Sequence, residues 1–284
     1  MSYTTMKEML EDARKNKYAV GAFNIVDYIT TASIIQVAVD KNAPVIIQVS
    51  VKTVKFYGGE AIANWVKTLA SRSSVPIALH LDHCKDIDVI RQCIEAGWSS
   101  VMIDASSFSY NTNVEMTKKV VAMAHPKGVT VEGELGAIVG VEDDIFVKSQ
   151  DSHLADPNLS VEYNKATGID VFAPAIGTAH GLYQSEPKIN FELLREIADR
   201  TEMPIAIHGG TGLSDETFRN CIKCGGCKIN ISTNIKHLFR DSFEEYFTNN
   251  PNNYEPIKAI EYLQENIYNK IQTFFDIFGC SEKA

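Results

Sequence analysis

Short apolar runs alternate with longer amphipathic segments along most of the chain. The apolar runs lack the alternation of a half-exposed strand, and such continuous runs are typical of strands in a parallel sheet with both faces covered. We predict eight strands, at 19–24, 44–50, 76–82, 99–104, 129–134, 171–176, 204–208 and 227–231.

The segments between these strands carry apolar residues at helical spacing. Glycines such as Gly97 and Gly168 punctuate the joins, as expected where helices end. Repeated β-α units favour a single closed (β/α)8 TIM barrel over residues 1–284. A doubly wound open sheet is the alternative, but the first strand ends in Ala22-Phe23-Asn24 and not in a glycine-rich phosphate loop. We predict helices at 30–42, 60–71, 87–96, 114–124, 161–167, 191–200 and 215–223.

Two segments lie outside this repeat. Residues 136–157 form a long, acidic and weakly patterned stretch, which we interpret as an active-site loop. Residues 254–280 predict an extra C-terminal helix, whose apolar face packs on the barrel or on a second subunit. We therefore expect a homodimer or a homotetramer. The apolar positions of this helix are Ile260, Leu263, Ile267, Ile271, Phe274, Phe275 and Phe278.

Composition and charge exclude several classes of function. The net charge is −9 over 284 residues, and no basic stripe of the kind found in nucleic-acid-binding proteins is visible. No apolar stretch reaches the ~18 residues of a membrane span, and no secretory signal is evident, so we expect a cytoplasmic protein. Anionic sugar phosphates remain possible ligands, because backbone amides and a metal supply local positive potential.

Three of the six cysteines form a C-x-x-C-x-x-C run, Cys221, Cys224 and Cys227. An iron–sulfur cluster or a second zinc is one interpretation. The other, which we favour, is that the first two lie on one helix that ends at Gly225 and the third opens the next strand as a reduced, buried thiol.

Polar residues follow most of the predicted strands. In a TIM barrel the carboxyl ends of the strands meet at one rim, where catalytic groups lie. His83, His180 and His208 stand at three of these ends, and three imidazoles with an open position are typical of catalytic zinc. The other strand-end residues are Asn24, Ser50, Asp82, Asp104, Glu134, Asn230, Ile231, Ser232 and Thr233.

Glycines beside these histidines indicate a phosphate site. Gly181 follows one histidine, and Gly209-Gly210-Thr211 follows another. Bare backbone lets amides approach a phosphate closely, and the loops after strands seven and eight are the common phosphate site of this fold. We therefore expect a phosphorylated substrate whose other end lies on the metal.

Motifs in order along the chain resemble those of the class II fructose-bisphosphate and tagatose-bisphosphate aldolases. They are YAVGAFN at 18–24, APVI at 43–46, HLDH at 80–83, SVMIDAS at 100–106, EGELG at 132–136, EDD at 142–144, GID at 168–170, AIGTAHG at 175–181, HGGTG at 208–212 and KIN at 228–230. The resemblance implies a lyase of carbohydrate metabolism, with glycolysis as the default setting.

The resemblance also implies roles for individual residues. His83, His180 and His208 match zinc ligands, and Asp82 matches the acid/base at the bond being cleaved. Glu142 matches a loop glutamate that moves the proton at the nucleophilic carbon. Ligands of a second or alternative divalent position are matched by Asp104 and Glu134. The dihydroxyacetone phosphate site, with a monovalent cation near its phosphate, is matched by Gly181, Gly209–Thr211 and Asn230–Thr233, and we add Asn24 and Ser50 to the substrate site.

We therefore predict zinc-dependent, reversible aldol cleavage of a ketose 1,6-bisphosphate, by default fructose 1,6-bisphosphate, to dihydroxyacetone phosphate and an aldehyde such as glyceraldehyde 3-phosphate. The other aldolase strategy needs a lysine amine at the rim, and Lys228 lies at the start of the last predicted strand.

Two alternatives remain. Ile257 stands where many relatives carry a phosphate-binding Arg, although Lys258 follows it, so tagatose 1,6-bisphosphate or another ketose 1-phosphate with a different aldehyde half stays open. A non-catalytic sugar-phosphate sensor is disfavoured, because it needs neither Asp82 nor Glu142.

Overall fold

The computed structural model describes residues 2–136, 139–142, 145–147, 154–180 and 188–284, with the backbone alone for 139–142, 145–147 and 180. Eight parallel strands close into a barrel, which confirms the predicted TIM barrel. Every predicted strand is found, with small shifts at its ends. The barrel strands are β1 (Val20–Asn24), β2 (Val45–Ser50), β3 (Ile77–Cys84), β4 (Ser100–Ile103), β5 (Thr130–Leu135), β8 (Val171–Pro174), β10 (Ile205–Ile207) and β11 (Gly226–Ile231).

Closure of the barrel joins its first and last strands. Val20 of β1 pairs with Lys228 of β11, and Ala22 pairs on its other side with Ile46 of β2. Nearly all strand residues are buried, because helices cover the outer surface and side chains fill the interior. This two-sided burial is the reason that the strands appear in the sequence as continuous apolar runs.

Helices surround the barrel, and side-chain caps start most of them. Asp27, Asp86, Ser109 and Asp156 each accept hydrogen bonds from backbone N–H groups of the following first turn, which otherwise lack partners. The helices are α1 (Met6–Asn16), α2 (Tyr28–Asp40), α3 (Val51–Tyr57), α4 (Gly59–Ala70), α5 (Ile87–Glu95), α6 (Tyr110–Ala124), α7 (Pro157–Thr167), α8 (Phe191–Thr201), α9 (Asp215–Lys223), α10 (Thr233–Asn249) and α11 (Pro256–Phe278). None of these helices has the length and apolarity needed to cross a membrane.

Helix α1 lies outside the repeat and was not among the predicted helices. It packs across the amino-terminal end of the barrel: the Lys7 backbone N–H donates to Thr130 at the start of β5, and Ser100 at the start of β4 contacts the Met6 sulfur. Met6 and Leu10 are fully buried there. The end opposite the predicted site is therefore sealed by apolar side chains.

The segment predicted as a weakly patterned loop, 136–157, contains two short strands. β6 (Val139–Glu142) and β7 (Ile145–Val147) pair in antiparallel fashion, and β6 also pairs with β9 (Ala179–His180). Strands of three and four residues are too short for a readable two-residue period. The pairing brings the backbone of Glu142 and that of His180 into one small sheet beside the barrel.

The predicted C-terminal helix is present as α11. Its buried face includes Phe274 and Phe275, whose rings lie 6.2 and 5.7 Å from the ring of Phe23. The Ala19 N–H donates to the Phe278 carbonyl at 3.0 Å. α11 also packs on α2 and α10, so its apolar face is covered within this chain.

Candidate active site

The predicted site residues meet at the carboxyl-terminal rim of the barrel. Asp82 and His83 lie in β3, Asp104 follows β4, Glu134 lies in β5 and His208 follows β10. All five side chains are buried, with exposed fractions of 1–7%. Catalytic groups lie at this rim in TIM barrels, and a cluster of buried ionisable side chains there is a candidate active site.

A β-bulge lets two consecutive residues of β3 reach the same site. Neighbouring side chains of a strand normally point to opposite faces. Here the pairing of β3 with β4 shifts between Leu81 and Cys84, and His83 adopts a left-handed φ of 44°. Asp82 Oδ1 and His83 Nε2 consequently lie 4.0 Å apart.

His83, Glu134 and His208 form a cluster of potential metal ligands. One ligand atom from each lies within 4.8 Å of the others, and no second group of this kind occurs in the described parts of the chain. His208 Nδ1 lies 2.8 Å from His83 Nε2, and Glu134 Oε2 lies 3.8 Å from His208 Nδ1 and from His83 Nδ1. Two nitrogens and one oxygen therefore converge from three different strands.

The electrostatics of this cluster fit a bound cation. Burial, reinforced by the nearby His83, lowers the pKa of His208 to about 4, so its imidazole is neutral and keeps a lone pair for a metal. Burial, and then the repulsion of Asp104, raise the pKa of Glu134 well above its usual range. A cation would stabilise the ionised form of such a carboxyl group.

Asp104 contacts Nδ1 of His83, whereas His208 contacts Nε2 of the same ring. Its Oδ2 lies 3.2 Å from His83 Nδ1, and its Oδ1 accepts a 2.7 Å hydrogen bond from the Ser106 hydroxyl. Burial alone would raise the pKa of Asp104, but the contacts with His83 and Ser106 bring it below its usual range. Asp104 is thus an ionised carboxylate in direct contact with a candidate ligand.

A second layer of polar side chains, to which the sequence pattern gives no role, lies beneath this cluster. Glu132 Oε1 contacts His208 Nε2 at 2.7 Å, and Glu132 Oε2 lies 3.0 Å from the Lys228 ammonium and 3.5 Å from His80 Nε2. The His80 ring in turn lies 2.7 Å from the Ser100 hydroxyl. His80, Glu132 and Lys228 are fully buried, so these contacts are made out of reach of water.

Asp82 is held by a chain of amides. The Asn24 amide donates to Asp82 Oδ2 at 3.0 Å, and the Gln48 amide donates to Asn24 Oδ1 at 2.8 Å. Asn24 was predicted as a substrate-binding residue, and in this structure its donor group is directed to Asp82. Gln48, which is fully buried in β2, was not singled out in the sequence.

Two glycines after β10 approach neighbouring backbone. Gly209 has a φ of 68°, and a Cβ atom there would lie 2.3 Å from the Ala179 carbonyl oxygen. A Cβ atom on Gly210 would lie 2.5 Å from the Asn230 carbonyl oxygen. Glycine is therefore required at both positions by the adjoining strands, before any phosphate is considered.

Buried donors at the end of β11 and just before β9 lack a partner in the part of the chain that the structure describes. Asn230 Nδ2 and Ser232 Oγ are buried and lack a hydrogen-bond partner within the described residues, as does Thr178 Oγ1. Ser232 precedes α10, a helix of 17 residues, without capping it through its side chain. Orphaned buried donors beside a helix N-terminus suit an anionic ligand.

The remaining predicted residues fall into different settings. Ser50 ends β2 and caps α3 through a 3.3 Å contact with the Thr53 N–H. Gly181 lies outside the described residues, and only the backbone of His180 and Glu142 is described. Thr211 is buried, Ile231 is the last residue of β11 and Thr233 is the first of α10.

The cysteine run and the start of α11 complete the set of candidates. All six cysteines are buried. Cys221 lies in α9, Cys224 caps the end of that helix and Cys227 lies in β11, close to the positions that the favoured interpretation gives them. In the first turn of α11, Ile257 is 56% exposed and the Lys258 ammonium pairs with Glu261 at 2.7 Å.

Comparison with known proteins identifies the family. The family model "Fructose-bisphosphate aldolase class-II" matches residues 4–283. A fructose-bisphosphate aldolase of Geobacillus stearothermophilus is 40% identical over an alignment that covers 100% of this chain and 99% of the relative. One from Staphylococcus aureus strain COL is 38% identical, with both chains fully covered.

Solved structures agree in fold over the whole chain. The YdjI aldolase of Escherichia coli K12 has a TM-score of 0.88 at 28% identity, covering 99% of each chain. A putative fructose-1,6-biphosphate aldolase of Coccidioides immitis has a TM-score of 0.89 at 25% identity, covering 99% and 98% of the two chains. The chain therefore belongs to the class-II fructose-bisphosphate aldolases, a metal-dependent family of lyases, as its sequence predicts.

Proposed function

We propose that this chain is a zinc-dependent enzyme that reversibly cleaves fructose 1,6-bisphosphate to dihydroxyacetone phosphate and glyceraldehyde 3-phosphate. The observation that carries the proposal is the convergence of His83, Glu134 and His208 beside Asp82 at the rim of the barrel. Family membership supports the reaction class, and the buried donors near Asn230 support a phosphorylated substrate.

The metal would be held by His83 and His208, with His180 as the third imidazole that we predict from the sequence. Glu134 and Asp104 supply carboxylates for a second or alternative position. A divalent cation there would polarise the substrate carbonyl and stabilise the charge that develops on its oxygen during cleavage. A monovalent cation near the phosphate belongs to the same proposal.

Proton transfer falls to two carboxylates. Asp82 would accept the proton of the hydroxyl next to the bond that breaks, and its burial and its bond from Asn24 hold it in one orientation. Glu142 would move the proton at the nucleophilic carbon of dihydroxyacetone phosphate. Its strand, β6, pairs with the strand that carries His180, which supports its assignment to the same site.

The phosphate of the dihydroxyacetone half would lie between the loop after β10 and the start of α10. Gly209, Gly210 and Thr211 line one side in this proposal, with Gly181 beside them. Asn230, Ile231, Ser232 and Thr233 form the other side, where orphaned donors and the helix N-terminus favour an anion.

The metal requirement gives the direct test. Chelation is expected to abolish cleavage, and added zinc is expected to restore it. His208→Ala should lose metal and activity together, whereas His237→Ala on α10 should keep both. Borohydride with substrate should trap no adduct, since the proposal involves no imine. Full activity after complete removal of the metal would contradict the proposal.

The aldehyde half of the substrate is a separate question. Ile257 cannot bind phosphate, and Lys258 already pairs with Glu261, so discrimination for a distal phosphate should be weaker than in relatives that carry an Arg at this position. An Arg–phosphate contact is typically worth roughly ten- to a hundredfold in affinity. Ile257→Arg is therefore expected to lower the KM for fructose 1,6-bisphosphate and to leave proton exchange of dihydroxyacetone phosphate unchanged.

A panel of ketose phosphates decides this point, with tagatose 1,6-bisphosphate and 1-phosphates beside the default substrate. A wild-type preference for the bisphosphate over the 1-phosphate by several orders of magnitude would mean that another residue holds the distal phosphate. The homodimer or homotetramer and the cytoplasmic location stay predictions, and sedimentation of the purified protein measures the first.

A further inference from the structure

Lys228 is a fully buried lysine whose ammonium makes two polar contacts in the barrel interior. Its Nζ lies 3.0 Å from Glu132 Oε2 and donates to Asn230 Oδ1 at 2.8 Å. Lys228 and Asn230 are two residues apart on β11, so both side chains point to the same face of the strand. A buried ammonium is costly unless its donors are satisfied, so these two contacts stabilise the buried charge.

The contact with Asn230 fixes the orientation of an amide. A carboxamide presents an acceptor on one side and a donor on the other, and an ammonium can only donate. Asn230 Oδ1 must therefore face Lys228, and Nδ2 must point away from it. That Nδ2 is buried and has no partner within the described residues, so it is a donor reserved for a ligand.

The contact with Glu132 fixes an imidazole. With Oε2 held by Lys228, the other carboxylate oxygen, Oε1, lies 2.7 Å from His208 Nε2. A carboxylate accepts, so the proton of the His208 ring stays on Nε2. Nδ1, which faces His83 and Glu134, is left with its lone pair directed at the candidate metal position.

We propose that Lys228 is a positioning residue that orients both halves of the site: the metal-facing nitrogen of His208, through Glu132, and the Asn230 amide that donates to a negatively charged substrate oxygen. This inference rests on the proposed function for the identity of that substrate oxygen. Lys228 itself touches no substrate, and no covalent bond to its amine is involved.

Lys228→Met tests the proposal, because methionine is similar in length and has no charge. The zinc affinity, measured by competition with a chromogenic chelator, is expected to fall ~10- to 100-fold, the usual loss when the hydrogen-bonding network behind a metal ligand is disrupted. Lys118→Met, an exposed substitution on α6, should leave the affinity unchanged. This measurement needs no substrate, so it stands whichever ketose the enzyme uses.

The Asn230 half is tested at saturating zinc by proton exchange of dihydroxyacetone phosphate. Lys228→Met and Asn230→Ala should slow exchange by similar factors, and the double variant should be no slower than the slower single variant, because one substitution acts through the other. If instead the two losses multiply, Lys228 does not act through Asn230 and that half of the proposal is overturned.

A charge-balanced variant separates positioning from simple neutralisation and guards against misfolding. Lys228→Met/Glu132→Gln buries no unpaired charge, and the Gln oxygen can still accept from His208 Nε2. We expect it to regain most of the zinc affinity but to exchange protons as slowly as Lys228→Met. Recovery of both properties would show that Lys228 only neutralises Glu132, and would overturn the proposal.

The orientation of the Asn230 amide can also be followed without any substrate. In protein with isotope-labelled asparagine, the Asn230 side-chain amide signal, identified by its loss in Asn230→Ala, should shift in Lys228→Met and stay in place in Lys118→Met. An unshifted signal would overturn the proposal. Absence of aldol cleavage and of proton exchange in the wild type would instead count against the proposed function, while the zinc and amide measurements would still decide the role of Lys228.

Discussion

Two chains of hydrogen bonds support the site from opposite sides of the barrel, and they differ in charge. On the side of β1, β2 and β3, Gln48 donates to Asn24, which donates to Asp82. Both of these supporting groups, Asn24 and Gln48, are neutral amides. On the side of β5, β10 and β11, the supports of His208 are a carboxylate and an ammonium.

This difference matches what each supported group has to do in the proposed reaction. Asp82 must gain and lose a proton, and a neutral amide orients it without fixing its charge as strongly as a full charge would. His208 must stay in one tautomer as a ligand, and an ionised Glu132 secures that state. The comparison suggests that charged partners hold a side chain that must keep one protonation state, whereas neutral amides hold a side chain that must gain and lose a proton.

The largest expected effect comes from the supported acid/base itself. Asp82→Asn should keep the metal and lose cleavage by ~100-fold or more, because the proton acceptor is gone while His83 and His208 are untouched. Cleavage rate and zinc content of the purified variant measure the two quantities. Asp88→Asn, an exposed change on α5, is the matched control. Loss of zinc in Asp82→Asn would show that Asp82 also supports the metal site, which would contradict the comparison.

A different property should respond on the ionic side. Glu132→Gln alone is expected to weaken zinc binding by ~10- to 100-fold. With Lys228 retained, the Gln oxygen faces that ammonium, so the Gln NH2 group faces the His208 Nε2–H, which cannot accept a hydrogen bond. Chelator competition measures the affinity, and thermal unfolding checks that the fold survives with Lys228 unpaired. A variant that binds zinc as tightly as the wild type would show that Glu132 and Lys228 do not hold His208 in its zinc-binding tautomer.

The smallest effect is expected at the far end of the amide chain. Gln48→Met removes one neutral hydrogen bond to Asn24, worth about 1 kcal/mol or roughly fivefold in rate. The loss should appear in kcat for cleavage, with zinc affinity unchanged. Gln36→Met on the exposed face of α2 serves as the control. If the zinc affinity of Gln48→Met changed while kcat did not, the hydrogen bonds behind Asp82 would support the metal site as those behind His208 do. The two sets of hydrogen bonds would then not differ in function.

The outer layer of the site could be predicted from the sequence, because strand ends are visible where apolar runs stop. The inner layer was missed for a reason that the barrel explains. His80, Glu132 and Lys228 each lie two residues before a predicted site residue, on the same face of the same strand. The two-residue period of a strand therefore places these three side chains on the same face as the site residues. Their contacts could not be predicted, because a polar residue inside an apolar run does not show which side chain it pairs with.

Other features have no counterpart in a pattern of apolar and polar residues. An alternating strand would send Asp82 and His83 to opposite faces, and only the bulge at this point of β3 brings them together. Helix α3 has seven residues, about two turns, with Val54 as its buried residue, which is too little for a helical period to show. Local backbone geometry accounts for the first of these features, and the shortness of the element accounts for the second.

The way the barrel closes has a consequence for how the chain reaches this structure. Two hydrogen bonds connect α11 with the region around α2. Tyr268 donates to Asp40, 228 positions away in the sequence, and Lys41 donates to Asp276, 235 positions away. Contacts of such separation form late, because the entropy of closing the intervening loop is lost before they contribute. Until then the edges of β1 and β11 lack each other as partners, and unpaired strand edges recruit other chains. We therefore expect slow refolding from denaturant, with a yield that falls as protein concentration rises.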